Sequence, residues 1–391
     1  MVVGALALCG LTGCSTWWTA SSSRASSVSR AAGTRLTFVA GASRARQSID
    51  NVVSVLPTGA ALAAVTRGAP SVTDAAWSAT TGDLVYARRW VTIGPGNINV
   101  GHYGVFVLRP DGTTRLIRRC GVTCGPSSFA WSPDGRQIAF DTNIPSRSTG
   151  SAGEIAVMNA DGSGFRVICT EATCGQGLDD PQWSPDGSKL LFSNQGVIAF
   201  FGIGIPPSGI WVANADGSGI RKLTQRECQP GTPELVGCLY DSSAAWSPDG
   251  RSIAFSRLAQ IVRGHVSPKT SVELMRTDGS DLHPIYTCTG ILCNQVMPPI
   301  WSPNGSRIAV APWVERRSQL VLLAPGGSRR VIRTCVGTHC VTPSDVAWSP
   351  DGRRLGFFSS ARDADAYVID ANGNDMRRVG LHAECCLTWT P

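Results

Sequence analysis

One phrase recurs along the chain and decides its architecture. It reads AWSPDGRQIAF at 130–140, QWSPDGSKLLF at 182–192, AWSPDGRSIAF at 245–255, IWSPNGSRIAV at 300–310 and AWSPDGRRLGF at 347–357, with a weaker copy, AWSATTGDLVY, at 76–86. Self-similarity at such a period marks a repeat architecture in which each unit is one supersecondary element. A second phrase follows each first one (VFVLRPDG, IAVMNADGSG, IWVANADGSG, VELMRTDGS, LVLLAPGGS, AYVIDANGN), and a third follows the second (TRLIRRC, FRVICT, IRKLTQ, HPIYTC, RRVIRTC, MRRVGL). Every phrase is short, alternates β-branched or aromatic residues, and is bounded by Gly, Asp or Asn. That is the pattern of strands separated by turns.

Each unit therefore holds four strands. Strand A ends at the tryptophan. In Ser-Pro-Asp-Gly the proline presets φ at the second turn position and the glycine accepts a positive φ. Strand B is the IAF phrase and strand C the IAVMNA phrase, and Asp-Gly-Ser-Gly makes a tight hairpin into strand D. Four-stranded antiparallel sheets repeated radially form a β-propeller, so the expected fold class is all-β. The repeat tryptophans are Trp77, Trp131, Trp183, Trp246, Trp301, Trp348 and Trp389. Six are followed by complete B, C and D strands, whereas Trp389-Thr390-Pro391 opens a seventh unit at the end of the chain. Near the start, TRLTFVAG (34–41), NVVSVLPTG (51–59) and ALAAVTRG (61–68) read as strands B, C and D without an A. An open ring would leave unpaired edges. Seven blades are predicted, the last shared between the two termini, with six as the alternative.

This motif set resembles the WD40-like repeat of TolB-type propellers over nearly the whole chain after residue 33. The resemblance covers the propeller and not TolB's separate N-terminal α/β domain. It implies a surface for docking proteins, and it keeps six blades open, because many such propellers have six. It also brings an enzymatic alternative, since some related propellers are metal-dependent polysaccharide lyases and others gate a hydrolase domain.

Composition agrees with a large folded protein. At 391 residues, 42% hydrophobic and 16% charged, the chain exceeds what one compact core supports and is too apolar to be disordered. The excess of seven basic residues is scattered, which does not make the clustered footprint of a nucleic-acid partner.

Twelve of the fourteen cysteines come in near neighbours: Cys120/Cys124, Cys169/Cys174, Cys228/Cys238, Cys288/Cys293, Cys335/Cys340 and Cys385/Cys386. Short local disulfides in an oxidising compartment are expected. Zinc would need convergent pairs, and these stand about fifty residues apart. The adjacent Cys385 and Cys386 depart from the spacing and read either as a vicinal disulfide or as two thiols.

Residues 1–13 carry an apolar stretch too short to span a bilayer and suited to a secretory signal. Leu11-Thr12-Gly13-Cys14 resembles a bacterial lipobox, which makes Cys14 the expected lipidation site; a plain signal peptide is the alternative. Residues 14–33 are Ser-rich and form the expected tether to a propeller over 34–391.

In four-stranded antiparallel blades the short A-to-B and C-to-D turns share one face. The longer B-to-C and D-to-A connections share the other, where recognition is expected. Asp74, Asp180 and Asp345 each stand three residues before a repeat Trp, at the mouth of the central channel on that face. They read either as a site for a cation or basic group or as caps on nearby backbone N–H groups. The apolar B-to-C loop 195–209, with Phe200 and Phe201, forms a contact patch or folds inward. Trp90 and Trp313 offer stacking surface or simply pack. The five histidines are dispersed, and no HExxH, GxSxG or phosphate-binding loop occurs. No catalytic residue, metal or cofactor is assigned. The expected protein is an exported, lipid-tethered, monomeric binding platform for an envelope protein, peptide or glycan, touching the membrane only through its lipid.

Overall fold

The computed structural model describes residues 34–44, 47–66, 72–93, 99–120, 125–144, 152–194, 208–224, 239–259, 269–289, 298–314, 317–336, 343–359, 365–380 and 383–390. They form a seven-bladed propeller of antiparallel sheets, with strands ordered A-B-C-D outward from the axis. Blades 2 to 7 each begin at a strand A: Val72–Trp77, Gly125–Trp131, Leu178–Trp183, Leu239–Trp246, Ile300–Trp301 and Pro343–Trp348. Blade 1 is built from both ends of the chain. Its strand A is Ala383–Trp389, and its strands B, C and D are Leu36–Arg44, Gln47–Val55 and Ala63–Ala64. The six-bladed alternative is thereby excluded.

The join in blade 1 reproduces an intact repeat turn. In blade 3 the Ser132 N–H donates to Gln137 O (2.9 Å), and the Gln137 N–H donates to Ser132 Oγ (2.9 Å). In blade 1 the Thr390 N–H donates to Arg35 O (2.8 Å), and the Arg35 N–H donates to Thr390 Oγ1 (2.9 Å). Thr390 therefore stands in for the repeat serine, although no covalent turn joins the two strands.

Two side chains per repeat lock neighbouring blades together. The aromatic residue of strand B is almost wholly buried in six blades: Phe38, Tyr86, Phe140, Phe192, Phe255 and Phe357. Burying each contributes about 1.5–3 kcal/mol. In blade 6 the position is Val310, and Pro312 just beyond it splits strand B into Ile308–Val310 and Trp313–Val314, since proline has no N–H for the ladder. The repeat tryptophan points its indole N–H at the preceding blade. Trp131, Trp183, Trp301, Trp348 and Trp389 donate to the carbonyls of Ala76, Ala130, Ala245, Ile300 and Ala347 at 3.0–3.3 Å. Trp77 donates to Thr37 Oγ1 (2.9 Å), whose hydroxyl lies 3.2 Å from Thr388 O. Trp246 Nε1 is buried with no hydrogen-bond partner among the described residues.

The Ser-Pro-Asp-Gly aspartates are turn residues. Ser132, Ser184, Ser247 and Ser349 donate to Asp134, Asp186, Asp249 and Asp351 at 2.5–2.6 Å. Hydroxyl and backbone donors hold these carboxyls below the usual range, Asp186 at about 2.

The Cys169–Cys174 disulfide lies in a D-to-A connection, with Cα atoms 6.2 Å apart. Cys120, Cys288, Cys335 and Cys386 are also disulfide-bonded. Cys124, Cys228, Cys238, Cys293 and Cys340 lie outside the described residues, as do Cys14, the signal segment and the tether.

Candidate functional site

Strands A of neighbouring blades contact one another and so line the axis. Just before the tryptophan, the ladder between strands A and B slips: between Ser127 and Ala130, Asp179 and Gln182, Ser242 and Ala245, and Ser344 and Ala347. The residue three before the tryptophan adopts a left-handed backbone in five blades, with φ of 51° at Ser128, 56° at Asp180, 54° at Ser243, 47° at Asp345 and 65° at Cys386. Short polar side chains tolerate this region better than most, because they bond locally. The bulge turns these side chains out of the ladder at the mouth of the channel, as bulges beside functional sites do.

Asp74 and Asp345 bridge blade seams. Asp74 Oδ1 accepts from its neighbour's Ala75 N–H (2.7 Å), and Oδ2 accepts from the Phe129 N–H of the next blade (3.2 Å). Asp345 Oδ2 accepts from the Leu387 N–H of blade 1 (3.2 Å). The capping reading thus describes a real part of what both residues do. Among the described residues Asp180 accepts a 3.3 Å bond from Gln182 Nε2, and its own N–H is held by Asp179 Oδ1 (2.8 Å).

The carboxyls also sense one another. Burial pushes Asp180 up to about 7, with the charges of Asp179, Asp74 and Asp345 adding to it. Burial pushes Asp74 up to about 6, against the pull of its backbone donors and with a contribution from Asp345. Asp345 is raised by burial, opposed by the Leu387 and Cys386 N–H groups. The Asp345 side chain is exposed at the channel mouth, with protein on its flanks. The disulfide-bonded Cys386 places Sγ 3.2 Å from Asp74 Oδ1.

Two further carboxylates join this group, Asp141 and Asp179, which the spacing to tryptophan does not single out. Asp141 is 8% exposed and is held well above its ordinary range by burial, then by Asp179 and Asp74. The signal available in the sequence was the residue after the strand B aromatic. It is polar in blades 3, 4 and 5 (Asp141, Ser193, Ser256) and apolar in blades 1, 2, 6 and 7 (Val39, Ala87, Ala311, Phe358).

The remaining candidates are elsewhere. Trp90 lies in a strand rather than in a connection: strand B of blade 2 runs Leu84–Ile93 and strand C Asn99–Leu108. Trp90 stacks on His102 of strand C (5.8 Å between centroids, 21°). Trp313 falls in the short strand Trp313–Val314 rather than a loop. Phe200 and Phe201 lie outside the described residues. A cavity of about 370 Å³ opens on the tight-turn face between blades 4 and 5; Asp186 and Asp249, which line it, are bonded within their turns, and Trp246, whose indole N–H has no partner among the described residues, lines it too. Among the described residues no three His, Cys, Asp or Glu side chains converge to hold a metal ion.

The raised carboxyls predict a pH dependence of stability. A carboxyl with a higher pKa in the folded state binds its proton more tightly there, so folding loses stability as pH rises from the unfolded value, near 4, through the folded one. One pKa unit is ~1.4 kcal/mol, and the partial exposure of Asp180 and Asp74 reduces what they deliver. The melting temperature should rise between pH 8 and pH 5, and Asp180→Asn should flatten that rise. A melting temperature that falls steadily over this range in both proteins would contradict the assignment. Below about pH 4 the turn aspartates, whose pKa values are lowered, act in the opposite sense.

No protein-family model and no curated protein sequence matches the chain. Solved structures share its fold. An oligogalacturonate lyase in complex with manganese is similar with a TM-score of 0.59 and 14% identity, over 82% of this chain and 82% of that one. A puromycin hydrolase is similar with a TM-score of 0.54 and 14% identity, over 90% of this chain and 53% of that one. TolB from Acinetobacter baumannii gives a TM-score of 0.47 and 14% identity, over 91% of this chain and 66% of that one. The chain spans just under two thirds of the TolB chain and about half of the hydrolase. The likeness is one of fold.

Proposed function

We propose that this propeller is a binding module of the cell envelope, exported and tethered by a lipid on Cys14, which receives a protein, peptide or glycan at the channel mouth. The observation that carries this reading is the group formed by Asp74, Asp180 and Asp345. Three blades deliver carboxyls to one mouth, and each is raised by burial, Asp180 and Asp74 also by neighbouring carboxyls. Groups held that way are poised for a ligand that supplies the missing positive charge or hydrogen-bond donors. The ends of strands B and D, from which the longer connections run, lie on the same face of the scaffold.

A thermal-shift screen of basic peptides, neutral peptides and neutral oligosaccharides tests this reading. A ligand that binds only the folded state raises the melting temperature by mass action. The expected result is a rise with at least one class, lost in Asp74→Asn/Asp345→Asn, with every oligosaccharide recovered intact by mass spectrometry. Cleaved or unsaturated products would instead favour a propeller enzyme. No shift with any class would remove the mouth as the binding site.

A further inference from the structure

The pole opposite the channel mouth carries a feature of its own. The repeat turns of blades 4 and 5 touch there: a Cβ on Gly250 would lie 3.6 Å from Pro185 Cδ. Beside that contact the seam opens into the cavity of about 370 Å³, whose walls include Asp186 and Lys189 of blade 4 and Trp246 and Asp249 of blade 5. A single water fills about 30 Å³, and ligand pockets start at roughly 300 Å³, so the space is of ligand size.

Trp246 breaks the rule that the other blades keep. Trp131, Trp183, Trp301, Trp348 and Trp389 each donate the indole N–H to the carbonyl of the residue before the tryptophan, or its equivalent, in the preceding blade. In blade 4 that residue is Gln182, and Trp246 does not bond its carbonyl. Trp246 is 8% exposed, and its Nε1 is buried with no partner among the described residues. Buried indole N–H groups nearly always find an acceptor. One that is left over on the wall of a ligand-sized cavity calls for an acceptor from outside the chain.

The neighbouring groups narrow what that guest is. Ser247 Oγ and the Arg251 N–H both donate to Asp249 Oδ1 (2.5 and 3.1 Å), which leaves Oδ2 to accept from a guest. An ionised carboxylate only accepts hydrogen bonds, whereas an indole N–H and an ammonium only donate them. An anion would meet the charges of Asp186 and Asp249. A cation would meet Lys189 and offer nothing to the indole. A hydroxyl both donates and accepts, and a ring bearing several satisfies all four groups within one small volume. We propose that the cavity between Asp186, Lys189, Trp246 and Asp249 is a binding site for a neutral sugar ring, separate from the channel mouth and independent of the reading given to it.

The test titrates the full chain with methyl glycosides of glucose, galactose, mannose and N-acetylglucosamine, followed by ligand-observed NMR. At least one should bind saturably. Trp246→Phe keeps the aromatic packing and removes the N–H, so affinity should fall about tenfold, the worth of one hydrogen bond. Its melting temperature should fall less than that of Trp348→Phe, which breaks a bond to Ile300 O that is made. Asp249→Asn should also weaken the glycoside several-fold without unfolding the turn, because blade 6 carries Asn304 at that place with the same bonds from Ser302 Oγ and the Ser306 N–H. Trp348→Phe and Asp74→Asn/Asp345→Asn should leave the affinity unchanged. No saturable binding would overturn the proposal, as would full affinity in both Trp246→Phe and Asp249→Asn. Loss of binding in the Asp74/Asp345 variant alone would move the sugar to the channel mouth and overturn it too. An acetylated dipeptide amide that displaces the glycoside, binds more tightly and depends on Trp246 would make the guest a peptide and overturn the sugar assignment.

Discussion

Deleting residues 387–391 should lower the melting temperature by tens of degrees or prevent the ring from forming. The segment looks like a short tail, and undocked tails of that length are normally dispensable. Here it carries Leu387 (7% exposed) and Trp389 (6% exposed), which pack with Leu36, Phe38, Val55 and Phe358 in one core cluster. Losing a buried Leu and a buried Trp costs about 2–5 and 3–5 kcal/mol respectively. The deletion also removes the Leu36–Trp389 and Thr37–Thr388 ladder pairs, both hydrogen bonds of the Thr390–Arg35 join, and the Trp389 bond to Ala347 O. Domains have net stabilities of roughly 5–15 kcal/mol, so the sum approaches the whole. Thermal unfolding with disulfides intact is the measurement. An unchanged transition would mean that strand A of blade 1 contributes nothing to closure.

The second large effect separates two glycines with the same backbone. Gly112 and Gly162 both sit in C-to-D turns with φ of +87°. A Cβ on Gly112 would have nothing within 4 Å, whereas one on Gly162 would collide with the carbonyl oxygen of Ile117, in strand D of the preceding blade. Gly112→Ala should cost only the left-handed backbone penalty, about 1–2 kcal/mol. Gly162→Ala should cost that and a further ~1–3 kcal/mol from overpacking against backbone that has no rotamer to change. Chemical denaturation of both variants, compared at constant m-value, reads the difference directly. Equal losses would show that the seam between blades 2 and 3 yields freely.

Blade number was legible because each blade announces itself with one tryptophan, and closure because Trp389 had no strands after it while residues 34–68 had no tryptophan before them. Both inferences need only local pattern and the requirement that edges be paired. The hairpin through Trp90 was not legible. Gly-Pro-Gly-Asn at 94–97 and the basic pair Arg88-Arg89 resemble a loop, although Trp90, Thr92 and His102 alternate correctly for strands. Asp74, Asp180 and Asp345 could be found from their offset to the tryptophan, but the left-handed bulge at Asp180 and Asp345 could not, since Ser128 and Cys386 adopt it as well. Asp141 and Asp179 escaped because their relation crosses a seam between blades. Residues 38 apart in sequence meet only once neighbouring blades pack, and no period within one repeat encodes that meeting.

The uncut repeat turns join strands A and B on the tight-turn face, and the Arg35–Thr390 join occupies the same place in blade 1. Thr34, the first described residue, therefore stands at the pole opposite the carboxylates. If Cys14 holds a lipid, the molecule hangs from its membrane by that pole and presents the channel mouth outward, away from its own bilayer. A partner would then be met across the gap rather than within the same leaflet, and the twenty residues of 14–33 set how far the propeller can lean to reach it.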